Sequence, residues 1–467
     1  MRTFIFYVVT FRIALALLTR TYFQADEYFQ ALEPAHQAVF GYGHLTWEWT
    51  TTRPIRSIIY PAVYVPAYWL LKVTGLDRFD ALLIALPKIV HGALSAGTDL
   101  GIVGLARAVL GNDYVSTAAL LSLTSFFNAL SLSRTLSNSL ETSLCSLAFA
   151  YYPWDAHPDV TPHVTFNKTK LRKMILFSAL ACVIRPTNAV IWTFLYMRLL
   201  WAYGRYRTLV ASFVRDALLA LTVATLALFV IDTLYYGKST FTPYNFLLTN
   251  LSSVSLFYGG SPWHYYLSQA LPILCTTALP FTLHGMYTTL KDSNTPRKSY
   301  ALQGMFWTIV WSVGIYSLAG HKEWRFIHPL LPLLHVFAAK SLVNLRTSFD
   351  KASNTLRKQK PKAKTSSQSI AVFGKDLPIR RGHLWFLLCM APATIYVVLF
   401  YCSGPISVLS YVRSLPLGDQ KSENPFTDTV GFLTPCHSTP GHAYIHREVL
   451  AEVPGRIWAL GCEPPLG

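Results

Sequence analysis

The chain has 467 residues, of which 52% are hydrophobic and 13% are charged, and its formal net charge is +17. Soluble domains carry about a quarter charged residues, so this composition argues against a soluble protein and for one surrounded by lipid. The basic residues are dispersed or lie in one loop, without a zinc-finger or helix-turn-helix pattern, so we expect no nucleic-acid partner.

Apolar runs divide the chain into candidate membrane spans. A helix needs about 20 apolar residues to cross the hydrocarbon core, and roughly ten to twelve such runs occur. The first, residues 4–18, contains Arg12 and has no small-residue cleavage site before Asp26, so we interpret it as a retained span. Later runs begin near Ile58, Phe79, Tyr114, Asn138, Met174, Ala189, Ala217, Trp263, Tyr300, Phe326 and His383. The pattern predicts an all-α polytopic membrane protein.

A basic segment gives the orientation in the membrane. Residues 346–382 hold many Lys and Arg among Ser, Thr and Gln, so we expect a disordered loop that lies in the cytosol. Counting spans outward from it predicts a transmembrane module over residues 1–345 and a further transmembrane helix over 383–403. The segments predicted on the luminal side are the loops 20–56, 237–262 and 319–326 and the tail 404–467. The faces of residues 79–154 are not assigned.

Two polar clusters at these luminal loops suggest chemistry. Asp26 and Glu27 follow the first span, where a carboxylate can act as general base on a substrate held in lipid. Acidic residues there also commonly do no more than end a span. His321, Lys322 and Arg325 form a cationic turn that suits a phosphate, with Glu323 holding one of the cations in place. The alternative is an interfacial cluster of snorkelling side chains.

Ionisable residues also interrupt the apolar runs. Arg134 and Glu141 lie two helical turns apart and either line a cavity or form a structural pair with each other. Arg185 precedes a proline that kinks or divides a helix. His264 lies among aromatic residues that suit a saccharide surface, although an interfacial aromatic belt explains those rings equally well.

Two of the seven cysteines lie in polar sequence. Cys436 and Cys462 belong to no Cys-x-x-Cys pair, so we predict no metal site, and one disulfide between them is plausible in an oxidising compartment. The other five lie in or beside apolar runs, as buried free thiols do.

In order along the chain, these segments resemble the dolichyl-phosphate-mannose-dependent mannosyltransferases of the C-type glycosyltransferase superfamily. The resemblance is carried by residues 26–30, 46–49 with 55–57, 134–141, 185–187, 262–264 and 321–326. Residues 46–49 and 435–440 are most similar to members that add the third mannose of the GPI anchor precursor through an α-1,2 linkage. Members typically carry a longer luminal tail, so we interpret residues 404–467 as shortened.

The resemblance implies a C-type fold in the endoplasmic reticulum membrane, with a luminal active site. It implies an inverting transfer from dolichyl-phosphate-mannose to the GPI precursor, with Asp26 as general base and Glu27 orienting it or the acceptor. His321, Lys322 and Arg325 would hold the donor phosphate. No nucleotide is needed, no cofactor is expected and a metal is not obligatory. Further residues expected at the substrate cavity are Glu323, Arg134, Glu141, Arg185, His264, Trp47 and Glu48.

Other functions fit parts of the same pattern. A sister mannosyltransferase could act on the dolichol-linked N-glycan precursor or add a fourth GPI mannose. Many spans with charged residues are also typical of transporters, but the chain lacks the two repeated halves with broken helices that transporters commonly show. The luminal acidic and cationic clusters argue against a membrane scaffold without chemistry.

Overall fold

The computed structural model describes residues 2–159, 166–252, 254–257, 259–291, 296–359, 371–372, 375–415, 429–452 and 455–464. Its described elements are mostly helices, and its strands have only two or three residues each. This confirms the all-α architecture predicted from the sequence.

The first half of the chain forms helices that begin close to the predicted apolar runs. The α-helices are α1 Arg2–Leu18, α2 Glu33–Phe40, α3 Trp47–Thr50, α4 Ile59–Ala62, α5 Val65–Thr74, α6 Asp80–Val109, α7 Val115–Thr124, α8 Phe126–Ser131, α9 Ser137–Tyr151, α10 Lys168–Ile184, α11 Ala189–Tyr203 and α12 Arg207–Tyr236. A π-helix spans Tyr28–Leu32, and 3₁₀ turns span Asn112–Tyr114 and Pro186–Asn188.

The second half continues with shorter and more divided elements. Its α-helices are α13 Thr242–Leu251, α14 Val254–Phe257, α15 Leu271–Cys275, α16 Leu279–Lys291, α17 Pro296–Ser317, α18 Leu331–Gln359, α19 Arg381–Leu388, α20 Ala391–Leu399, α21 Gly404–Ser414, α22 His442–Ile445 and α23 Val449–Glu452. A π-helix spans Tyr266–Ala270, and 3₁₀ segments span Thr276–Ala278 and Trp324–Leu330. The strands are β1 Ala371–Val372, β2 Lys375–Asp376, β3 Val430–Phe432 and β4 Ile457–Ala459.

Among the described residues, four helical segments are long and apolar enough to cross a membrane: Asp80–Val109, Arg207–Tyr236, Trp324–Lys351 and Arg381–Ser414. Most of the other predicted spans are shorter or divided helices, and the undivided α17, with 22 residues, is not among the four, so a count of ten to twelve stays a prediction. Proline causes one such division, because Pro186 lacks an N–H and opens a 3₁₀ turn between α10 and α11.

Burial separates a central span from a peripheral one. In the segment that contains α18, 94% of the most apolar stretch is buried, whereas in α12 only 11% is. α12 instead exposes leucines such as Leu218 and Leu221, which suits contact with lipid. Close helix contacts at the centre need glycine: a Cβ at Gly101 of α6 would lie 2.4 Å from the Ser146 carbonyl carbon of α9.

The three loops predicted to be luminal meet at one end of the helices, which we call the loop end. Lys238 Nζ donates to Thr52 O and Asn245 Nδ2 to Pro54 O, both at 2.9 Å, and these bonds join the first loop to the second. Ser261 N donates to Gly320 O at 3.0 Å and joins the second loop to the third. α18 begins beside the third loop and carries the basic segment away from it.

The basic segment is more ordered than the sequence suggested. α18 continues through Gln359, and β1 pairs antiparallel with β2, so the prediction of disorder is wrong for the described part of residues 346–382. The apolar start of α18 nucleates the helix, and Lys, Arg, Ala, Leu and Gln then extend it at little cost. Arg346 and Asp350 add an i,i+4 ion pair at 2.8 Å. Lys360, Lys362 and Lys364 lie outside the described residues.

The tail returns to the first loop. The predicted helix over 383–403 is divided into α19 and α20. Arg20 N donates to Val398 O and Tyr22 N to Cys402 O, so the chain that follows α1 runs beside the end of α20. Beyond α21, β3 and β4 pair in parallel, and α22 packs against the first loop.

Candidate active site

Asp26 and Arg325 meet at the loop end although 299 residues separate them. Arg325 Nη1 lies 2.6 Å from Asp26 Oδ2. Asp26 follows α1 and a short linker, and Arg325 is the second residue of the 3₁₀ segment Trp324–Leu330. The Asp26 side chain keeps 21% of its surface exposed, whereas that of Arg325 keeps 6%. The acid and the cation that the sequence placed on the same side are therefore in direct contact.

Glu323 fixes the orientation of Arg325. Arg325 donates from Nε to Glu323 Oε2 at 2.6 Å and from Nη2 to Oε1 at 2.9 Å, a bidentate pair that sets the plane of the guanidinium. Burial opposes the charged carboxylate, but the neighbouring Arg325 and His321 hold the pKa of Glu323 well below its usual range. The guanidinium thus reaches Asp26 from a fixed position.

The other two cations of this turn differ in their surroundings. His321 lies 3.2 Å from Glu323 Oε1 and 2.9 Å from Gly259 O, and the hydrogen bond to Glu323 raises the pKa of His321. Lys322 is buried and donates from Nζ to Ser261 O at 2.9 Å. Among the described residues Lys322 has no carboxylate at ion-pair distance.

Glu27 points away from Asp26 and into the protein. It accepts hydrogen bonds from the backbone N–H groups of Phe23 and Gln24, and Arg134 Nη1 lies 3.3 Å from Glu27 Oε2. Its side chain is 4% exposed. Glu27 therefore holds the turn that carries Asp26, and the geometry favours Asp26 as the carboxylate that meets a substrate.

Arg134 and Glu141 do not pair with each other, contrary to the structural alternative considered from the sequence. Arg134 lies in the turn between α8 and α9 rather than on one helix with Glu141, so the two-turn spacing does not apply. Glu141 instead lies 3.2 Å from Arg185 Nε and accepts a 2.7 Å hydrogen bond from Asn188 Nδ2. Arg185 Nη1 also donates to Ser137 Oγ at 2.9 Å.

Arg56 is a site residue that the sequence reasoning did not select. Its Nη2 and Nε lie 2.6 and 3.0 Å from Glu48 Oε1, and Gln30 Nε2 donates to Glu48 Oε2 at 3.1 Å. Trp47, the residue before Glu48, is buried. Two signals were available in the sequence: Arg56 belongs to the segment 55–57 that carries part of the family resemblance, and it closes the first loop directly before an apolar run.

Arg56 and Arg185 line the same cleft, whose cavity volume is about 50 Å³. Apolar side chains complete its walls. The lining residues are Gln30, Ile55, Arg56, Ser57, Tyr60, Ser137, Val183, Ile184, Arg185, Pro186, Thr187, Leu228, Thr242, Pro243 and Phe246. Asp26 and Arg325 interact electrostatically with both arginines of the cleft. Each of the two arginines is paired with a carboxylate, Arg56 with Glu48 and Arg185 with Glu141. Guanidinium groups beside apolar walls suit a phosphate attached to a hydrocarbon chain.

Of the residues predicted from the sequence, Arg185 lines this cleft, whereas His264 and the two tail cysteines take no part in the contacts described above. His264 is exposed, and its Nδ1 lies 2.8 Å from Ser268 Oγ one turn later. Cys436 and Cys462 form a disulfide that joins residues 429–452 of the tail to residues 455–464. Cys436, His437 and Cys462 each place a metal-ligand atom within 4.8 Å of the others, but the two sulfurs are bonded to each other in the structure.

The chain is similar to known mannosyltransferases over most of its length. The model of the Alg9-like mannosyltransferase family matches residues 3–446. GPI alpha-1,2-mannosyltransferase 3 of Mus musculus is 33% identical over 98% of this chain and 74% of its own length. Mannosyltransferase APTG1 of Arabidopsis thaliana is 33% identical over 96% of this chain and 76% of its own length.

A solved structure shares the fold. ArnT from Cupriavidus metallidurans bound to undecaprenyl phosphate superposes with a TM-score of 0.61, at 12% identity, over 98% of this chain and 88% of that chain. The family match covers almost every described element of the chain. The chain belongs to the Alg9-like mannosyltransferase family and is a membrane-embedded mannosyltransferase with the C-type glycosyltransferase fold.

Proposed function

We propose that this enzyme transfers mannose from dolichyl-phosphate-mannose to the GPI anchor precursor and adds the third mannose through an α-1,2 linkage. The relatives support the acceptor, because proteins named for this activity are 33% identical over 98% of the chain. The reaction takes place on the luminal side of the endoplasmic reticulum membrane. The basic segment supports this orientation, because cytosolic loops are enriched in Lys and Arg and the loop end lies away from that segment.

One observation carries the proposed chemistry: Asp26 contacts Arg325 beside a cleft that Arg56 and Arg185 also line. Asp26 removes the proton from the acceptor hydroxyl as that oxygen attacks the anomeric carbon. The bond between the anomeric carbon and the phosphate oxygen breaks, and dolichyl phosphate leaves with the electron pair. A β-linked donor then gives an α-linked product by inversion in one displacement.

The cationic groups have separate tasks in this mechanism. The leaving phosphate gains one negative charge, and fixed guanidinium groups stabilise charge that develops in a water-poor site. Arg56 and Arg185 line the cleft and hold the donor phosphate there. His321 and Lys322, on the turn that carries Arg325, keep the role beside the phosphate that the family resemblance implies. Arg325, which Glu323 holds in place, positions the Asp26 carboxylate, and the exposed part of that carboxylate receives the acceptor hydroxyl.

The decisive test is Asp26→Asn in the purified full chain, assayed with labelled dolichyl-phosphate-mannose and a dimannosyl GPI acceptor. Loss of a positioned base is expected to lower turnover by about 100-fold or more. Asp113→Asn is the control, since Asp113 is exposed and follows α6 at the opposite end of the helices. Near-normal turnover by Asp26→Asn would remove the base assignment.

Lipid analysis of cells that lack the protein identifies the acceptor. A GPI precursor that stalls with two mannoses supports the proposal. A precursor that stalls with three mannoses would instead indicate addition of the fourth, and a shortened N-glycan precursor would indicate the sister activity on dolichol-linked oligosaccharide.

We also propose that the reaction needs no metal ion. The donor already carries its phosphate leaving group, and arginines supply the positive charge that a metal would otherwise provide. Full activity after exhaustive EDTA treatment is the expected result. A loss of activity that Mg²⁺ or Mn²⁺ restores would contradict it.

A further inference from the structure

The tail holds one residue rigidly beside the active site. His437 has a backbone φ of 54°, in the left-handed region that non-glycine residues seldom adopt. Its neighbour Cys436 is tied to Cys462, and the hydroxyl of Tyr22 donates to the His437 carbonyl. Such conformations persist where the surroundings hold them, and they cluster at functional sites. The unusual backbone conformation of His437 therefore indicates that its side chain has a function.

The His437 ring lies among residues of the first loop. Its centroid is 5.0 Å from that of Phe29 and 6.5 Å from that of His44. It also interacts electrostatically with Glu48 and with Asp26, the proposed base. The ring is part-exposed, and its nitrogens have no hydrogen-bond partner among the described residues. His437 thus offers unused polar atoms close to Asp26.

The chemistry of this group of side chains suits a sugar. Burial lowers the pKa values of both His437 and His44, so each imidazole is neutral at neutral pH and carries one donor and one acceptor nitrogen. Sugar hydroxyls need such directional partners, and the apolar faces of a sugar pack on aromatic rings such as Phe29. A neutral pair gives little attraction for phosphate, which the arginines of the cleft already suit.

A second anchor keeps this part of the tail in place. Glu33 is fully buried and accepts hydrogen bonds from the backbone N–H groups of His442 and Ala443 in the tail, at 3.1 and 2.8 Å. It also accepts one from His44 N at 3.1 Å. The same carboxylate therefore connects the loop that carries His44 to the tail that carries His437.

We propose that His437 hydrogen-bonds a hydroxyl of the acceptor glycan and determines acceptor specificity, with the Cys436–Cys462 disulfide acting as a positioning element. The proposal rests on the proposed function and deepens it, because it assigns the acceptor side of the site to the tail. The arginine cleft serves the donor.

Steady-state kinetics with the full chain test this assignment. His437→Ala is expected to raise the KM for the dimannosyl GPI acceptor roughly three- to tenfold, as the loss of one hydrogen bond predicts, with the donor KM unchanged. His437→Asn keeps a donor and an acceptor and should recover part of the loss. Replacing both Cys436 and Cys462 by Ser should raise the acceptor KM similarly and add little to His437→Ala, because both changes act through one group.

His157→Ala is the control, since His157 lies beyond the far end of α9. An unchanged acceptor KM in His437→Ala, or an equal rise in the donor KM, would overturn the proposal. If Asp26→Asn remains fully active, the proposed function fails whatever His437 does. If Asp26→Asn is inactive and His437→Ala is normal, only the role of His437 fails.

Discussion

Two adjacent carboxylates differ in surroundings because the backbone turns between them. Asp26 faces the loop end and Arg325, whereas Glu27 begins the π-helix Tyr28–Leu32 and turns inward to Arg134. A buried carboxylate with a guanidinium and two backbone donors has its acceptor sites occupied. A base needs a reachable oxygen, so this difference in exposure supports the proposed roles of Asp26 as base and Glu27 as its structural support.

Arg56→Ala tests the donor side of the cleft at the scale of one residue. The loss of charge-assisted hydrogen bonds to a phosphate is expected to lower kcat/KM for the donor by roughly 10- to 100-fold. Arg53→Ala is a matched control, because Arg53 is exposed and belongs to the same loop. Equal effects of the two substitutions on donor kinetics would contradict a specific contact by Arg56.

Sequence reasoning selected Asp26, Lys322 and Arg325 because polar residues beside apolar runs are conspicuous. It did not select Arg56, and it considered Glu141 as the partner of Arg134, whereas the partner is Glu27. Both depend on contacts between distant segments: Arg134 meets Glu27 across 107 residues. The spacing of residues along one helix does not predict partners that lie in distant segments.

A buried ion pair joins α1 to α6. Arg12 Nε and Nη2 lie 2.7 Å from the two carboxylate oxygens of Asp99, and both side chains are fully buried. Ser122 Oγ donates to Asp99 Oδ1 at 2.6 Å. Charges at membrane depth are costly unless paired, so the Arg12 that interrupts the first apolar run has a structural partner.

Arg12→Leu should destabilise the protein by about 3–5 kcal/mol, because it leaves the Asp99 carboxylate buried without its partner. The double change Arg12→Leu and Asp99→Leu removes both charges and should recover much of that loss. Thermal unfolding in detergent measures both effects. A double variant less stable than Arg12→Leu would argue against this pairing as the cause.

Helix starts were predictable because apolar runs are long and uninterrupted. α11 begins at Ala189, where the run begins, and α6 begins within one residue of Phe79. Interior breaks were harder to predict: Pro392, the second residue of α20, marks the break between α19 and α20, but the long apolar run around it led us to expect one helix. The extension of α18 into the basic segment depends on a helix already nucleated by buried residues, which local composition does not reveal.

At the scale of the whole molecule, histidines concentrate where the tail meets the first loop. His36 Nε2 lies 2.8 Å from His446 Nδ1, and Tyr42 OH lies 3.1 Å from the same nitrogen. Burial lowers the pKa of His36 to about 3 and that of His442 to about 4. Burial also lowers the pKa values of His44, His437 and His446, whereas it raises that of Glu33 to about 7.

Acidification should therefore detach the tail. Below the ordinary histidine pKa of 6.5, these histidines become protonated when the tail is undocked but stay neutral when it is docked. Docking of the tail therefore weakens as the pH falls from about 6.5 toward 4. Glu33 acts in the opposite direction, because its docked form gains a proton from about pH 7 downward. Because five histidines oppose docking at low pH and only one carboxyl favours it, docking of the tail becomes weaker overall as the pH falls.

Limited proteolysis of the tail between pH 7.5 and 5 measures this effect, and faster cleavage at the lower pH is expected. Glu33→Gln removes the opposing group and should make the dependence on pH steeper. Cleavage that slows as the pH falls from 7 to 5 would contradict the assignment.

The shared end of the three predicted loops followed from counting spans, because each span reverses the side of the membrane. The tail's return to the first loop did not follow, since its bonds join backbone groups to Glu33 across 409 and 410 residues. Hydropathy places a segment on a side of the membrane, but it does not give its partner there.

The clamp between Glu33 and residues 442–443 also imposes an order on biogenesis. The ribosome delivers Asp26 to the translocation machinery long before it delivers the residues that hold the surrounding loop. The first loop can therefore take its final form only after residue 443 has been synthesised. We expect nascent chains that end before this residue to be inactive in the membrane.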